Sequence, residues 1–412
     1  MALPKVIIQL YPMFPSDGEE GRKANRGMGN NPDTYQWIVH EWTEIVKACE
    51  DMGVWGMATI EHHLHSEGYE IGPNPGILNA HWLSQTSKIH VGALGYVMAT
   101  RDPIRVAEET AILDHLGKGR FFCGVARGYQ KRWTNIIGQF TETPATTVHG
   151  DEDDRRNREI FEERVEMLLQ CWTEESVRLD GKYYQAPYPL DTGVEGYPAW
   201  EITRDAGVEG EVDEAGAVQR ICVVPKPYQK PRPPVFVAVN KSPEAIKFCA
   251  KHNLMPTYFM TTEGMSEFID LYVEESKKYG RNLVRGQQQN LVRWPHITKT
   301  PEDYDRKLRE YDLDIYKNFY GPFFPFWPQE GRTDDECIQD IKDSGFFIGG
   351  TVEESIKAWK ETYEQAPAEY ITLIFHWAQQ PKEDMLEEIE LFMTKVLPEL
   401  DLPDFAAAAE QP

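Results

Sequence analysis

The sequence predicts a (β/α)8 TIM barrel with loop insertions. Short apolar runs alternate with amphipathic stretches along the 412 residues, which is the pattern of repeated strand–helix units around a parallel sheet. Eight strand-like runs can be counted, and no Gly-x-Gly-x-x-Gly motif follows the first, which favours a barrel over a doubly wound sheet. Barrels of this kind reach about 400 residues when their loops are long. We therefore expect one domain over residues 1–412, with insertions at about 12–34, 175–233 and 310–345.

The first half of the chain supplies four predicted strands and four predicted helices. The helix over Tyr35–Met52 repeats apolar side chains at i, i+3 and i+4 and ends before Gly53. The helix over Pro103–Leu116 has a proline in its first turn and Gly117 beyond its end. Two further helices are predicted at Asn79–Thr86 and Arg155–Trp172. The four strands lie at Val6–Leu10, Val54–Ile60, Ile89–Met98 and Arg120–Val125.

The alternation breaks at residues 175–234, which are rich in Pro, Gly, Tyr and Asp and predict an excursion with a small hairpin. Strands five to eight are then predicted at Val235–Val239, Leu254–Tyr258, Gln289–Ile297 and Tyr370–Phe375. The matching helices lie at Ser242–Lys251, Met265–Tyr279, Val352–Tyr363 (after Gly349-Gly350-Thr351) and Lys382–Val396. A long stretch with an aromatic cluster, Phe323 to Trp327, separates strands seven and eight.

Composition narrows the function classes. The formal net charge of −24 argues against nucleic acid and anionic membranes, because both require basic surface. No apolar run approaches the roughly 18 residues that cross a bilayer, and the apolar start is typical of a first strand rather than a signal peptide. The six cysteines are widely spaced, with no Cys-x-x-Cys, which predicts reduced thiols in a cytoplasmic protein.

The chemistry is predicted to centre on the segment Glu61-His62-His63-Leu64-His65, which follows strand two. In a (β/α)8 barrel the active site lies at the carboxyl ends of the strands, so this placement is informative. Histidine can move protons near neutral pH and can also bind metals. The cluster alone therefore leaves two interpretations open, a proton-transfer site and a metal site.

Two neighbouring strand ends predict an anion site. Arg127-Gly128 follows strand four, and a guanidinium offers paired donors to a phosphate. Asn240-Lys241-Ser242-Pro243 follows strand five, with Ser242 at the N-cap and Pro243 in the first turn of a new helix. Aromatic and apolar segments lie at other strand ends. These segments are Tyr11 to Phe14, Tyr129, Trp133 and Phe323 to Trp327. The anion site and the apolar segments together predict a phosphorylated cofactor below an apolar substrate pocket.

At these residues the chain resembles the bacterial luciferase-like family. The motifs that carry the resemblance run through most of the chain, except residues 12–34, about 135–155, 175–233 and 310–345. They are Glu61-His62-His63, Pro73-Asn74-Pro75, Leu78-Asn79-Ala80, the run from Asp102 to Glu108, the run from Leu113 to Arg120, Gly124-Val125-Ala126-Arg127-Gly128, Pro234–Asn240 and Phe375-His376-Trp377.

The resemblance implies a flavin-dependent monooxygenase. Such enzymes take reduced FMN from a separate NAD(P)H:flavin reductase, react with O2 through a C4a-peroxyflavin and transfer one oxygen atom to a small organic substrate. The aromatic segments at the strand ends predict that the substrate here is apolar. The resemblance implies that His62 is the acid/base histidine, and that a non-prolyl cis peptide at Leu78-Asn79-Ala80 places Asn79 and Ala80 under the flavin ring. It also implies phosphate ligands at Arg127 and Asn240, Lys241, Ser242 and Pro243, a flavin-edge contact from the Tyr129 backbone, and a homodimer or larger even assembly.

Some positions depart from the family pattern, and other functions remain open. Asn240-Lys241 stands where the luciferases have an acidic residue and then serine, and Ala126 stands where a reactive cysteine sometimes occurs. A member of the same family that uses deazaflavin F420 would share the barrel and the phosphate arginine. A metal-dependent hydrolase would use His63, His65, His296 and His376. A flavin-binding protein without catalysis is the remaining alternative.

Overall fold

The computed structural model describes residues 3–147, 150–323 and 331–400. The strands, in chain order, are β1 (Lys5–Leu10), β2 (Gly56–Thr59), β3 (His90–Val97), β4 (Phe121–Ala126), β5 (Leu179–Asp180), β6 (Gln185–Ala186), β7 (Val235–Val239), β8 (Met255–Tyr258), β9 (Asn290–Thr298), β10 (Phe347–Thr351) and β11 (Tyr370–Phe375). The chain forms two compact units, residues 1–95 with 235–412 and residues 96–234, and β3 spans the boundary between them.

The helices are, in chain order, α1 (Gly18–Ala24), α2 (Pro32–Asp51), α3 (Pro75–Gln85), α4 (Pro103–Gly117), α5 (Lys131–Ile137), α6 (Glu152–Thr173), α7 (Trp200–Ala206), α8 (Pro243–His252), α9 (Met265–Lys277), α10 (Pro301–Lys307), α11 (Leu313–Ile315), α12 (Gly321–Phe323), α13 (Asp334–Asp343), α14 (Val352–Gln365) and α15 (Lys382–Leu391). Three π-helical turns add to them, at Leu308–Asp312, Tyr316–Tyr320 and Phe392–Val396.

The first unit is built on seven parallel strands in the order β7-β8-β9-β11-β1-β2-β3. The strand β1 lies between β11 and β2, so that Ile7 pairs with Thr372 on one side and Gly56 on the other. Together with β4 of the second unit, eight strands alternate with helices in the order of a (β/α)8 barrel. The predicted fold class is confirmed.

Apolar side chains pack together near the carboxyl ends of these strands. Tyr11, Ile60, Val292 and Ile374 form one buried cluster, and Trp294 packs against it. Deeper in the unit, the amide nitrogen of Asn290 donates to the hydroxyls of Thr257 and Thr372, at 3.2 and 2.9 Å. This satisfies polar groups that would be costly to bury alone.

The helix α2 shows why the predicted elements form where they do. The Asn31 side chain caps the helix by accepting from the backbone N–H groups of Asp33 and Thr34, and Pro32 occupies the first turn. Its apolar face is buried, and Trp42 contacts Trp82 of α3 with ring centroids 4.7 Å apart. The chain leaves the helix through Gly53 at a φ of +76°, as the glycine predicted.

The segment between β9 and β11 holds a strand that the sequence did not predict. The strand β10 pairs in parallel with β9, from Phe347 beside Trp294 to Thr351 beside Thr298. Gly349 belongs to it, and a Cβ there would lie 2.7 Å from the backbone oxygen of His296. Glycine is a poor strand former, which hid this strand in the sequence. The helix α14 follows at once, with a capping box at Thr351.

The second unit contains α4, β4, α5, α6 and the excursion that the sequence predicted after α6. The helices α4 and α6 pack together, and the indole nitrogen of Trp172 donates to the Ala107 carbonyl at 3.2 Å. The predicted small hairpin is present as the antiparallel pair β5–β6, in which Leu179 faces Ala186. The short helix α7 comes after it.

Two chain-wide features complete the fold. The six cysteines are free thiols, as predicted, and all but Cys222 are buried. Burial raises the pKa of Cys49 to about 12, so this thiol is protonated and unreactive at neutral pH. No helix in the described ranges is long and apolar enough to cross a membrane.

Candidate active site

The histidine segment lies directly after β2, as predicted. His62 is held by a backbone hydrogen bond from its N–H to the carbonyl of Gly72, at 3.2 Å. Its Nδ1 lies 2.7 Å from Oε2 of Glu70, a carboxylate with no solvent exposure. A carboxylate at Nδ1 favours the tautomer that carries its proton there, and this makes Nε2 the basic nitrogen.

Glu70 stays ionised although it is buried. Burial is the largest single influence and would raise its pKa, but His62, His65 and Tyr320 together outweigh burial, and the pKa is lowered. The second oxygen, Oε1, accepts a hydrogen bond from the Tyr320 hydroxyl at 2.8 Å. The carboxylate is therefore held from both sides.

Tyr320 connects this pair to a second imidazole. Its hydroxyl oxygen lies 3.1 Å from Nε2 of His376, which follows β11. The other nitrogen of His376, Nδ1, lies 2.7 Å from Oδ1 of Asp312. Tyr320 and Asp312 are the last residues of the first two π-helical turns, and such turns are frequent at functional sites.

The chain of polar groups continues to His296 on β9. Its Nε2 lies 2.7 Å from Oδ2 of Asp312, and its Nδ1 lies 3.2 Å from Oε2 of Glu388 on α15. Burial alone would lower the pKa of His296, but the charges of Glu388 and Asp312 more than offset it and raise the pKa to about 10. For Asp312, burial would raise the pKa, but His296 and His376 lower it to about 2. Lys307 adds a cation 2.5 Å from Glu388.

An apolar and aromatic wall lies beside His62. The Tyr11 ring contacts His62 edge-on at 6.1 Å and Trp294 at 6.5 Å. Two buried polar atoms here, Nε1 of Trp294 and Oε1 of Gln9, have no hydrogen-bond partner among the described residues. A planar heteroaromatic ring with its own N–H and carbonyl groups would satisfy them, so these residues fit the ring system of a flavin.

The prediction of a non-prolyl cis peptide at Leu78-Asn79-Ala80 is wrong. These residues lie inside α3, and an α-helix is built from trans peptides. The non-prolyl cis peptide of the described residues joins Leu94 to Gly95 in β3, and the Leu94 carbonyl accepts from the Gln9 side chain at 2.8 Å. Asn79 is buried, with its Oδ1 accepting from the hydroxyl of Thr59. The reason for assigning Asn79 and Ala80 to a flavin disappears with the cis peptide.

Arg127 follows β4 in the second unit, as predicted, and is already part of an ion pair. Its guanidinium donates to the Asn157 side chain at 2.9 Å and lies 2.8 Å from the Asp154 carboxylate. The pKa of Arg127 is lowered. Burial is the largest cause, and the charge of Asp154 acts in the opposite direction. Gly128 has a φ of +82°, a backbone conformation that residues with a side chain rarely adopt. The Tyr129 backbone follows directly after this turn.

The loop after β7, which is the fifth strand predicted from the sequence, begins a helix with the predicted N-cap. Ser242 caps α8 by accepting from the Ala245 N–H at 3.3 Å, and Pro243 occupies the first turn. Asn240 and Lys241 before it are exposed. Glu244 also lies in the first turn and accepts from the Ser242 hydroxyl at 3.3 Å. Lys241 is therefore the cation that this loop offers to an anion.

His63 and His65 each have another side chain of the same segment as a neighbour. Nε2 of His63 lies 3.2 Å from Oε1 of Glu61, and the buried His65 stacks on His62 with ring centroids 5.9 Å apart. The described ranges contain no group of three or more His, Cys, Asp or Glu side chains that could hold a metal ion.

Of the predicted aromatic segments, Met13 and Phe323 lie with Phe319 and Tyr320 in one apolar cluster. Trp133 is buried in the second unit and donates to the Gln130 side chain at 2.9 Å. The rest of the Phe323 to Trp327 cluster lies outside the described residues.

Comparison with known proteins shows the family to which the chain is similar. A family model described as luciferase-like monooxygenase matches residues 28–334. The alkanal monooxygenase alpha chain of Photobacterium leiognathi is 25% identical over 392 residues, which cover 90% of this chain and 96% of that relative.

Solved structures with the same fold include two kinds of enzyme. The oxygenating constituent of 3,6-diketocamphane monooxygenase of Pseudomonas putida, a type II Baeyer–Villiger monooxygenase in complex with FMN, has a TM-score of 0.68 at 16% identity, covering 98% of this chain and 100% of that one. An F420-dependent secondary alcohol dehydrogenase in complex with an F420–acetone adduct has a TM-score of 0.61 at 14% identity, covering 97% and 100%.

Proposed function

The chain belongs to the luciferase-like monooxygenase family, and from this premise we propose that it is an FMNH2-dependent monooxygenase. It inserts one oxygen atom from O2 into a small, apolar organic substrate. The observation that carries the proposal is the imidazole of His62, held at Nδ1 by the buried Glu70 beside an aromatic wall. This pair supplies a basic Nε2 in surroundings that fit a flavin ring.

The cofactor is reduced FMN, received from a separate NAD(P)H:flavin reductase. When bound, it supplies the two electrons that activate O2. We assign its ring to the wall of Tyr11 and Trp294 and its phosphate to Lys241 and the N-terminus of α8, in the loop that Asn240, Ser242 and Pro243 shape. The family resemblance implies a further phosphate contact from Arg127 and a ring-edge contact from the Tyr129 backbone. The family resemblance further implies a homodimer or larger even assembly.

His62 manages protons at the reacting oxygen. Glu70 keeps Nδ1 protonated, so Nε2 can accept or return a proton as the substrate is oxygenated. The surrounding apolar side chains, including Tyr11, Met13 and Phe319, keep water away and favour an apolar substrate. Because relatives are described as alkanal and diketocamphane monooxygenases, a long-chain alkanal and a cyclic ketone are the first substrates to try.

The test combines the purified chain, a generic flavin reductase, NADH, FMN and these two substrates. A product heavier by one oxygen atom is expected from the unaltered chain. His62→Ala should give less product and more hydrogen peroxide for the same reductant consumed. The control is His81→Ala, an exposed histidine on α3. An equal ratio of product to hydrogen peroxide in the His62 variant and the unaltered chain would remove this residue from the mechanism.

A second candidate is an oxidoreductase that transfers hydride to or from F420. The likeness to an F420-dependent dehydrogenase favours it. Fluorescence titration with FMN and with F420, each in oxidised and reduced form, separates the two functions. Tight binding of F420 with weak binding of FMN would replace the monooxygenase proposal.

A further inference from the structure

We propose that Tyr320 is a positioning residue that couples the protonation of His62 to that of His376, so that a proton on one imidazole disfavours a proton on the other. This inference rests on the proposed role of His62 as the proton-managing residue. It adds the segment after β9 to the proton chemistry of the site.

The first step is the position of the Tyr320 hydroxyl. Its oxygen lies 2.8 Å from Oε1 of Glu70 and 3.1 Å from Nε2 of His376. All three side chains are buried, so water does not compete for these contacts. A phenol has one proton to donate, and two acceptors face it.

The second step concerns the far nitrogen of His376. Nδ1 lies 2.7 Å from Oδ1 of Asp312, and Asp312 is in turn 2.7 Å from His296. Asp312 therefore stays a carboxylate, and Nδ1 of His376 carries a proton. The Nε2 of a neutral His376 must then be an acceptor.

Two arrangements of the shared proton are then available. If His376 carries protons on both nitrogens, its Nε2–H donates to the Tyr320 oxygen, and the Tyr320 proton goes to Glu70. If His376 is neutral, Glu70 and His376 compete for the Tyr320 proton. The two arrangements differ by one proton on Nε2 of His376, which is exchanged with solvent. The Tyr320 O–H bond changes its direction, and no other bond changes.

The sign of the coupling depends on Glu70. When His62 is neutral, the Glu70 charge is not compensated by a cation, so the hydrogen bond from Tyr320 stabilises it more strongly. Tyr320 donates to Glu70 without competition when His376 is protonated, and this favours the protonated form of His376. When His62 is protonated, Glu70 is already neutralised and that advantage is smaller. Repulsion between two cations acts in the same direction.

Other ionisable groups also face these rings. The ring of Tyr11, directly after β1, contacts both imidazoles, with ring centroids 6.1 Å from His62 and 6.4 Å from His376. Burial raises its pKa well above the ordinary value, so it stays neutral. The titratable and charged groups that face the two imidazoles include Tyr11, His65, Glu70, Asp312 and Tyr320.

The test is nitrogen NMR of the flavin-free chain with labelled histidines. Eleven histidines are present, and His62→Gln and His376→Gln identify the two signals of interest. In the unaltered chain, the titration curves of His62 and His376 should each show two inflections, because each ring senses the other. Independent single-step curves in the unaltered chain would overturn the proposal.

Tyr320→Phe is the decisive variant. The coupling should then shrink to the direct repulsion between the two rings, so that the two inflections of each curve move closer together. An unchanged separation of the inflections would overturn the proposal. The matched control is Tyr311→Phe, in the same segment, whose hydroxyl donates to Asp384 and not to Glu70 or His376. It should retain the two-step curves, and loss of coupling in the control would contradict the role of Tyr320.

This measurement needs no flavin and no substrate. Coupled curves in a chain that lacks oxygenase activity would refute the proposed function and leave the coupling intact. Oxygenase activity with uncoupled curves would do the reverse.

Discussion

Replacing His296 with asparagine should destabilise the protein by about 3–5 kcal/mol near pH 6. His296 is the cation between the buried carboxylates of Asp312 and Glu388, and removing one partner of a buried ion pair leaves charge uncompensated. After the substitution Glu388 keeps Lys307 and Asp312 keeps His376. These remaining contacts favour the lower part of that range.

The magnitude can also be obtained from the His296 pKa. A rise from 6.5 to about 10 on folding corresponds to roughly 5 kcal/mol of preference for the protonated form in the folded state. The lowered pKa of Asp312, about 2, reports the same contact and is not added to this figure. This figure marks the upper end of the range, and the contacts that Glu388 and Asp312 keep in the variant place the expected loss below it.

The pH dependence is set by the directions of these shifts. Because the folded protein raises the pKa of His296, its stabilisation is complete below about pH 6.5 and is lost as the pH rises towards about 10. Because the folded protein lowers the pKa of Asp312, that contribution is present above about pH 3.8 and is lost as the pH falls towards about 2. The variant should lack the alkaline decline.

Urea unfolding of the flavin-free chain, followed by tryptophan fluorescence and circular dichroism, measures both effects. The unfolding free energies of the unaltered chain and His296→Asn should differ by about 3–5 kcal/mol near pH 6 and should converge near pH 10. His81→Asn, on the exposed face of α3, serves as the matched control. A loss below about 1 kcal/mol near pH 6, or an unchanged alkaline decline, would refute the reasoning.

Three further substitutions test other parts of the structure. Arg127→Ala should weaken FMN binding by about tenfold or more, because charge-assisted contacts to phosphate are lost; an unaltered dissociation constant in fluorescence titration would reject this role. Thr351→Ala should cost about 1 kcal/mol in urea unfolding through loss of the α14 cap, with FMN affinity unchanged. Gly128→Ala should cost about 1–3 kcal/mol because its φ is +82° and a Cβ would lie 2.7 Å from Val97; stability equal to the unaltered chain would show that the turn relaxes.

Much of the fold could be predicted because its strands are continuous apolar runs. Val235–Val239 and Tyr370–Phe375 have the predicted bounds, since buried parallel strands leave this pattern in a sequence. The strand β10 could not be predicted in the same way. Gly349 and Gly350 give it little strand propensity, and it forms because it can pair with β9.

The candidate site was predicted in part. The place of His62 after β2 could be inferred because strand ends converge in a barrel. Glu70, Asp312, Tyr320 and Glu388 could not, because these partners lie far apart in the sequence and meet only in the folded chain. The signal available was a polar residue within or beside an apolar run, as at His296 and His376, which the sequence suggested only as metal ligands.

The π-helical turns after β9 make the length of this segment as important as its composition. Each turn holds one residue more than an α-helix would need, and Asp312 and Tyr320 end the first two turns. Deleting one residue within Leu308–Asp312 would let this turn close as α-helix and would leave the helix beyond it in its present orientation. In homologous chains, a single-residue gap here therefore marks a lost π-helical turn and not a rotation of the residues that follow it.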